Sequence, residues 1–435
     1  MATPNDSPSA KFDLHLAIDM RVGGWISEPK LLYSWIDNIL KEVENRTEIR
    51  NPAVIEFKNA IESDAELYMG FHRLFYSLPD RDLLDRPQVK DYLTMLQCFD
   101  KFVGEAPTWN PNFLVFLPFT AILQLPMSMS NGFTILVNRR VNDHFRNVFR
   151  AWAKYLSSAA SASVLTTDKY GWLGKGAMEN MPDFQKLFEC DPTKDHWGFT
   201  SWDHFFTRTL KSDARPVEVP DGGTYITSAC ESQVIRYKVK VAARDQFWLK
   251  DSQPYSLVHM LNDPLANSFM GGTVYQAILS SYYYHRWHSP VNGTIVKAYV
   301  VEGTYFAGIP PDSSLMAPNC EKPVPSSEKP PSSESVAFQH QQAFLTHVAT
   351  RALIFILADD PNIGLMCFVG VGIVEISSCE ITVQAGQRVK QGQEIGTFHF
   401  GGSTHALVFG PQVKLKFLKE ENDFVEVRSA IARVE

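Results

Sequence analysis

The chain has only six cysteines in 435 residues (98, 190, 230, 320, 367 and 379), and no two form a Cys-x-x-Cys pair. A disulfide framework and a zinc site are therefore not expected, and the thiols read as reduced, mostly buried side chains of a cytosolic protein. Excess basic charge is also missing: the net charge is −7, with no Lys/Arg stripe to neutralise phosphates, which argues against nucleic-acid binding. Long apolar runs are absent too. The longest, Phe113–Leu125, has Pro118 in its middle and is too short to span a bilayer. It reads as a buried helix pair broken at the proline, with a membrane-surface segment as the alternative. The opening Met-Ala-Thr-Pro-Asn-Asp-Ser-Pro lacks an apolar signal core and the Arg-rich character of a presequence. A cytoplasmic protein without stable membrane insertion is expected.

What is present is an ordinary globular balance, 45% apolar and 20% charged, in a chain long enough for two domains, since single cores rarely exceed ~250–300 residues. Residues 1–165 carry helical periodicity. Ser27 and Pro29 suit a helix start ahead of the stripe Leu31, Leu32, Trp35, Ile36, Ile39, Leu40 and Val43. Further helices are expected over 52–78, 87–104 and 132–157, the last amphipathic through Phe145, Val148, Phe149, Trp152 and Tyr155. From about residue 220 short β runs take over: Gly223–Ser228, Gln233–Val241, Ile295–Val301 and Leu365–Ile376. Pro290–Tyr305 and Val383–Gly396 read as two halves of a sandwich barrel, with glycines where hairpins need positive φ. Lipoyl and biotinyl domains share that texture, but Arg388-Val389-Lys390 does not match the lysine signature they carry. Residues 310–335, rich in Pro, Ser, Glu and Lys, read as an exposed loop, either a lid or a tolerated insertion.

Three clusters carry chemistry. In Phe398-His-Phe-Gly-Gly-Ser-Thr404, a serine follows two glycines that leave the preceding carbonyl unshielded and permit a strained turn. Ser403 can add to the Gly402 carbonyl, convert the amide to an ester, and after elimination and hydrolysis leave a pyruvoyl group, an electrophile for amines. A flexible turn is the competing reading. In Tyr284-His-Arg-Trp-His-Ser-Pro290, His285 and His288 suit acid/base work. A metal site lacks a third ligand set nearby, and a core-bonded histidine is the alternative. Residues i and i+3 of an ideal strand face opposite ways, so a shared site requires a bend. In Ser228-Ala-Cys-Glu-Ser232, Glu231 can orient a histidine, with Asp221 as a rival carboxylate that reads more as turn punctuation. Two glycine patterns carry nothing. Val369–Glu375 lacks the third glycine of a dinucleotide fingerprint, and Gly402-Ser403-Thr404 lacks the following glycine of a nucleophile elbow.

In chain order these residues resemble the phosphatidylserine decarboxylase family of pyruvoyl enzymes. Trp202–Lys211 followed by Arg215-Pro216 is similar to its Phe-Phe-x-Arg-x-Leu-Lys…Arg-Pro stretch, and Ser228–Ser232 to its Ser-Pro-x-Asp-Gly turn. Tyr284–Pro290 resembles its Tyr-His-Arg-x-His-x-Pro signature and Gly401–Thr404 its self-cleavage motif. The departures are Glu231-Ser232 for Asp-Gly and Ala229 for Pro. Gly23–Ile26, Glu56–Ser63 and Tyr170–Leu173 extend the likeness to the branch that decarboxylates free aromatic amino acids, the fungal L-tryptophan decarboxylases.

The resemblance implies an α+β fold. A helical domain, 1–165, precedes a mostly β decarboxylase domain of barrel-sandwich type, 166–435. It implies self-processing by Glu231, His288 and Ser403, with cleavage between Gly402 and Ser403. The pyruvoyl made from Ser403 would serve as cofactor in place of pyridoxal phosphate, with no metal. His285 would protonate the decarboxylated carbon. The two chains, 1–402 and 403–435, would stay associated because the second supplies sheet strands such as Ala406–Phe409 and Val413–Phe417. The expected reaction turns an aromatic L-amino acid, tryptophan first, into its amine and carbon dioxide. Phosphatidylserine decarboxylation and a non-catalytic binding role are the alternatives. Tyr282, Tyr283, Tyr284 and Trp287 could wall an aromatic pocket, although aromatics beside a strand also serve as core.

Overall fold

The computed structural model describes residues 29–46, 48–76, 87–110, 117–127, 130–217, 219, 223–245, 255–307, 342–376, 378–400 and 403–435. The chain divides into two compact units, Met1–Tyr155 with Phe306–Gln341 and Leu156–Tyr305 with Gln342–Glu435.

The first unit is built of helices α1 (Pro29–Glu44), α2 (Pro52–Ser63), α3 (Ala65–Tyr76), α4 (Tyr92–Phe102), α5 (Pro118–Met127), α6 (Ser130–Leu136) and α7 (Arg139–Leu156). In α1, Leu32, Ile36, Ile39 and Val43 are buried at the spacing that defines one helix face. The single helix expected over 52–78 is two, because Asp64 takes an extended backbone (φ −118, ψ 117) and its carboxylate accepts the Leu67 N–H at 3.0 Å. The helix expected over 132–157 is likewise divided: the Asn138 side chain accepts the Arg140 N–H at 2.9 Å and starts α7. The 87–104 segment narrows to α4, capped by Asp91 on the Thr94 N–H at 2.8 Å. Of the helix pair expected around Pro118, the second half is described. Pro118 opens α5, where a missing N–H costs nothing, and residues 113–116 lie outside the described residues. Aromatic edges lock the bundle, with Phe57 on Phe145 at 5.3 Å and Phe119 on Trp152 at 5.2 Å. No described helix is long and apolar enough to cross a membrane.

The second unit has short helices α8 (Lys175–Glu179), α9 (Phe184–Leu187), α10 (Trp202–Phe206) and α11 (Leu257–Leu261). Its strands are β1 (Tyr225–Thr227), β2 (Ser232–Val239), β3 (Thr273–Leu279), β4 (Arg286–His288), β5 (Gly293–Val301), β6 (Arg351–Ala358) and β7 (Leu365–Gly372). They continue with β8 (Ser378–Ile381), β9 (Arg388–Val389), β10 (Glu394–His399), β11 (Ser403–Phe409), β12 (Leu415–Phe417), β13 (Phe424–Val425) and β14 (Ala430–Val434). They form one sheet of order β13-β2-β3-β11-β7-β6-β5-β9 and two small sheets, β1-β14-β12 and β4-β10-β8. The α+β organisation is as expected. The two anticipated half-barrels supply β5, β9 and the start of β10, with Gly293 paired to Val389, but no barrel closes among the described residues. Residues 310–335 and Asp221 lie outside the described residues.

Strand β11 is the keystone of the large sheet. All seven of its residues are buried, as a strand covered on both faces must be. It pairs antiparallel with β3 and β7 along its whole length, from Ser403↔Leu279 and Ser403↔Gly372 to Phe409↔Thr273 and Phe409↔Met366. The core behind it includes Leu407, Phe368, Trp287 and Phe398.

Candidate active site

Ser403 is the first residue of β11, fully buried, and its Oγ has no hydrogen-bond partner among the described residues. A buried hydroxyl left without a partner costs on the order of 1–3 kcal/mol, so this group stands out among the buried polar side chains of the described residues. Gly401 and Gly402, the residues before it, lie outside the described residues.

His288 ends β4 at 1% exposure. Its Nδ1 lies 2.9 Å from the Gly392 carbonyl, which can only accept, and 3.3 Å from Arg428 Nε; the nearer carbonyl assigns the proton to Nδ1. Nε2 is left with its lone pair, 3.0 Å from the Tyr284 hydroxyl, which donates to it. Arg428 Nε donates to the same Gly392 carbonyl at 3.0 Å. Burial, reinforced by the Arg428 charge, drops the His288 pKa to about 3, so the ring is neutral, with its free lone pair at Nε2. His285 stands just before β4, fully buried, with Nδ1 2.8 Å from the Tyr283 carbonyl and its ring 4.3 Å from that of Phe206. The two histidines thus differ in surroundings.

Glu231 occupies the turn between β1 and β2 at 7% exposure. Burial raises its pKa, and the charges of Arg215 and Arg208 pull the other way. Arg215 Nη2 reaches its Oε2 at 3.4 Å. Arg208, fully buried over the Phe188 ring at 4.5 Å, donates to the carbonyls of Tyr282 and Tyr283 at 2.6 and 3.0 Å. It therefore shapes the backbone that leads into Tyr284 and His285.

Tyr284 lies between the carboxylate and the histidine: its backbone N–H helps to hold the Glu231 pKa down and its hydroxyl bonds His288. The turn and β4 are also joined directly, His288 N–H to the Ala229 carbonyl at 2.8 Å. Among the described residues no hydrogen bond joins Ser403 to His288, nor His288 to Glu231. The sheet register still brings the ends together, since Gln233 of β2 and Thr404 of β11 both pair with Ile278 of β3.

The four aromatics do not line one wall. Trp287 is fully buried in the core against Phe368 and Phe398, at 5.1 and 4.7 Å. Tyr284 stacks on Phe188 at 6.1 Å, Tyr283 meets Phe424 at 5.2 Å and Tyr282 meets Trp172 at 6.4 Å.

Several participants carried no sequence signal. Arg428 is 140 residues from His288. His405, two residues past Ser403 and so on the same strand face, is fully buried, stacked on Phe368 at 6.0 Å, and neither ring nitrogen has a hydrogen-bond partner among the described residues. Its period-two spacing from Ser403 was the available clue. Among the described residues no group of three or more His, Cys, Asp or Glu could hold a metal.

Residues 51–181 and 202–433 match two phosphatidylserine decarboxylase family profiles. Decarboxylase iboD of Amanita muscaria is 39% identical over 328 residues, 73% of this chain and 91% of that one. An L-tryptophan decarboxylase of Psilocybe cubensis is 33% identical over 409 residues, 88% of this chain and 87% of that one. Phosphatidylserine decarboxylase proenzyme 3 of Schizosaccharomyces pombe is 28% identical over 217 residues, half of this chain but 19% of its own length.

Proposed function

The chain belongs to the phosphatidylserine decarboxylase family, a carboxy-lyase family, and from that premise we propose that it is a self-processing, pyruvoyl-dependent decarboxylase of a free aromatic L-amino acid, tryptophan first. The observation that carries this is Ser403, buried at the head of the central strand with a hydroxyl that has no partner among the described residues. A mere structural serine would be bonded.

In the processing step the Ser403 Oγ–H bond breaks, Oγ bonds the Gly402 carbonyl carbon, and the Gly402–Ser403 amide becomes an ester. Loss of the Ser403 α-proton expels the Gly402 carboxylate. One water then replaces the resulting enamine nitrogen, which leaves as ammonia, and residue 403 becomes pyruvoyl. His288 is the base of the set: neutral, with its lone pair at Nε2. The Tyr284 hydroxyl that occupies Nε2 moves aside or relays the proton. Glu231 holds the Tyr284 backbone, and through it the ring that meets His288.

Pyruvoyl chemistry fits the position, since a ketone there condenses with an amine and accepts the electrons released with carbon dioxide, as pyridoxal phosphate does elsewhere. His285, beside the Phe206 ring, supplies the proton to the decarboxylated carbon. The chain after the cut, 403–435, contributes β11 to the large sheet and β12 and β14 to a small one, so it stays bound. Support for an amino acid substrate comes from the likeness to the L-tryptophan decarboxylase of Psilocybe cubensis. Incubation of the protein with tryptophan, phenylalanine, tyrosine and phosphatidylserine, with product amines identified by mass, tests it. Tryptamine as main product is expected, and ethanolamine-headed lipid as the only product would overturn the substrate assignment.

A further inference from the structure

His399 and Phe400, a few residues ahead of Ser403, are each held by contacts of their own. His399 ends β10, and a carboxylate meets each of its ring nitrogens. Asp203 Oδ1 of α10 is 2.9 Å from Nδ1, and Glu380 Oε2 of β8 is 2.8 Å from Nε2. Two acceptors on one imidazole require a proton on both nitrogens, so the ring is a cation. Burial alone would discharge it, but the hydrogen bonds and charges of Asp203 and Glu380 outweigh that and raise its pKa. The next residue, Phe400, has φ +62, the left-handed region that a bulky side chain avoids. Its ring is 3% exposed and stacks on Trp202 at 6.2 Å.

Trp202 and Asp203 are adjacent on α10, which therefore grips residue 399 by charge and residue 400 by its ring. That helix is itself anchored: Ser201 accepts the His204 N–H at 3.0 Å, and the Trp202 N–H donates to Ser161 Oγ at 2.9 Å. On the far side Ser403 is fixed between Leu279 and Gly372. Two glycines join these fixed points.

We propose that the Asp203–His399–Glu380 clamp is a positioning device for self-cleavage, holding Phe400 in its left-handed turn ahead of the Gly402–Ser403 bond. The inference rests on the self-processing reading. The clamp has no part in the later decarboxylation, because cleavage releases the strain it imposes.

The test follows conversion of full-length precursor into two chains by mass spectrometry, for wild type, His399→Ala and Glu380→Gln. It also measures amine formed per cleaved molecule. Loss of a charge-assisted hydrogen bond slows cleavage by about tenfold or more, while turnover per cleaved molecule stays within about twofold. Glu380→Gln alters a half-exposed side chain and keeps the fold, so it decides the matter if His399→Ala does not fold. A pH profile separates the clamp from general damage. The charged groups facing the ring are Asp203 and Glu380, while Glu394 on the same strand is tied to Arg286. Wild-type cleavage weakens as pH rises through the His399 pKa, and Glu380→Gln moves that limb to lower pH. Cleavage at the wild-type rate in both variants, or an unmoved limb, overturns the clamp. An uncut, active wild type would instead overturn the underlying reading.

Discussion

Three histidines of the second unit, His288, His347 and His405, are all but fully buried, and burial is the leading cause that takes each from 6.5 to about 3. The folded state keeps them neutral while the unfolded chain protonates them below pH 6.5. Stability is therefore intact above that pH and falls as acid rises, levelling off below about 3. At about pH 5 each costs about 2 kcal/mol, and the three together about 6 kcal/mol. That is comparable with the whole stability of a typical domain, about 5–15 kcal/mol. His405 isolates the effect, because no partner is lost when it is replaced. His405→Phe keeps a ring against Phe368 and removes two unsatisfied nitrogens, a gain of about 1–3 kcal/mol at neutral pH. The gain should grow by about 2 kcal/mol on going from pH 7.5 to pH 5. Urea unfolding of both proteins across that range reads it directly. A difference that is flat with pH, or a variant less stable throughout, would refute the reasoning.

Other outcomes follow from the same geometry. Ser403→Ala should leave one unsplit chain with no amine formation, read on a denaturing gel and by product assay. Tyr284→Phe removes the hydroxyl bonded to His288 Nε2; it should cost about 1 kcal/mol in unfolding free energy and change the cleavage rate while Ser403 is intact. Arg208→Met removes the donors that hold the Tyr282 and Tyr283 carbonyls; it should destabilise by about 2–4 kcal/mol by denaturant titration and slow cleavage. After processing, the 403–435 chain should co-elute with the larger chain on gel filtration and separate only in denaturant, because β11 is laddered on both sides.

The helices were legible where apolar residues recur at one face, as in α1 and α7, because that period records burial directly. Their breaks were not, since Asp64 and Asn138 act through side-chain caps that look like ordinary polar residues. The clusters around Glu231, His285, His288 and Ser403 were legible because each is a short dense motif. What joins them was not. Tyr284 bridges through a backbone N–H and a hydroxyl, and Arg428 arrives from the far end of the chain. The His399 clamp depends on Asp203, 196 residues away, a pairing that no local pattern records. Pro118 reads from the sequence as a break in an apolar run, and α5 starts at it.

The central claim is that residue 403 ceases to be serine. Intact-mass analysis of the active protein, with and without borohydride, should find a small chain beginning at 403 that carries a reducible ketone. A single unbroken chain that still releases carbon dioxide from an amino acid would contradict it.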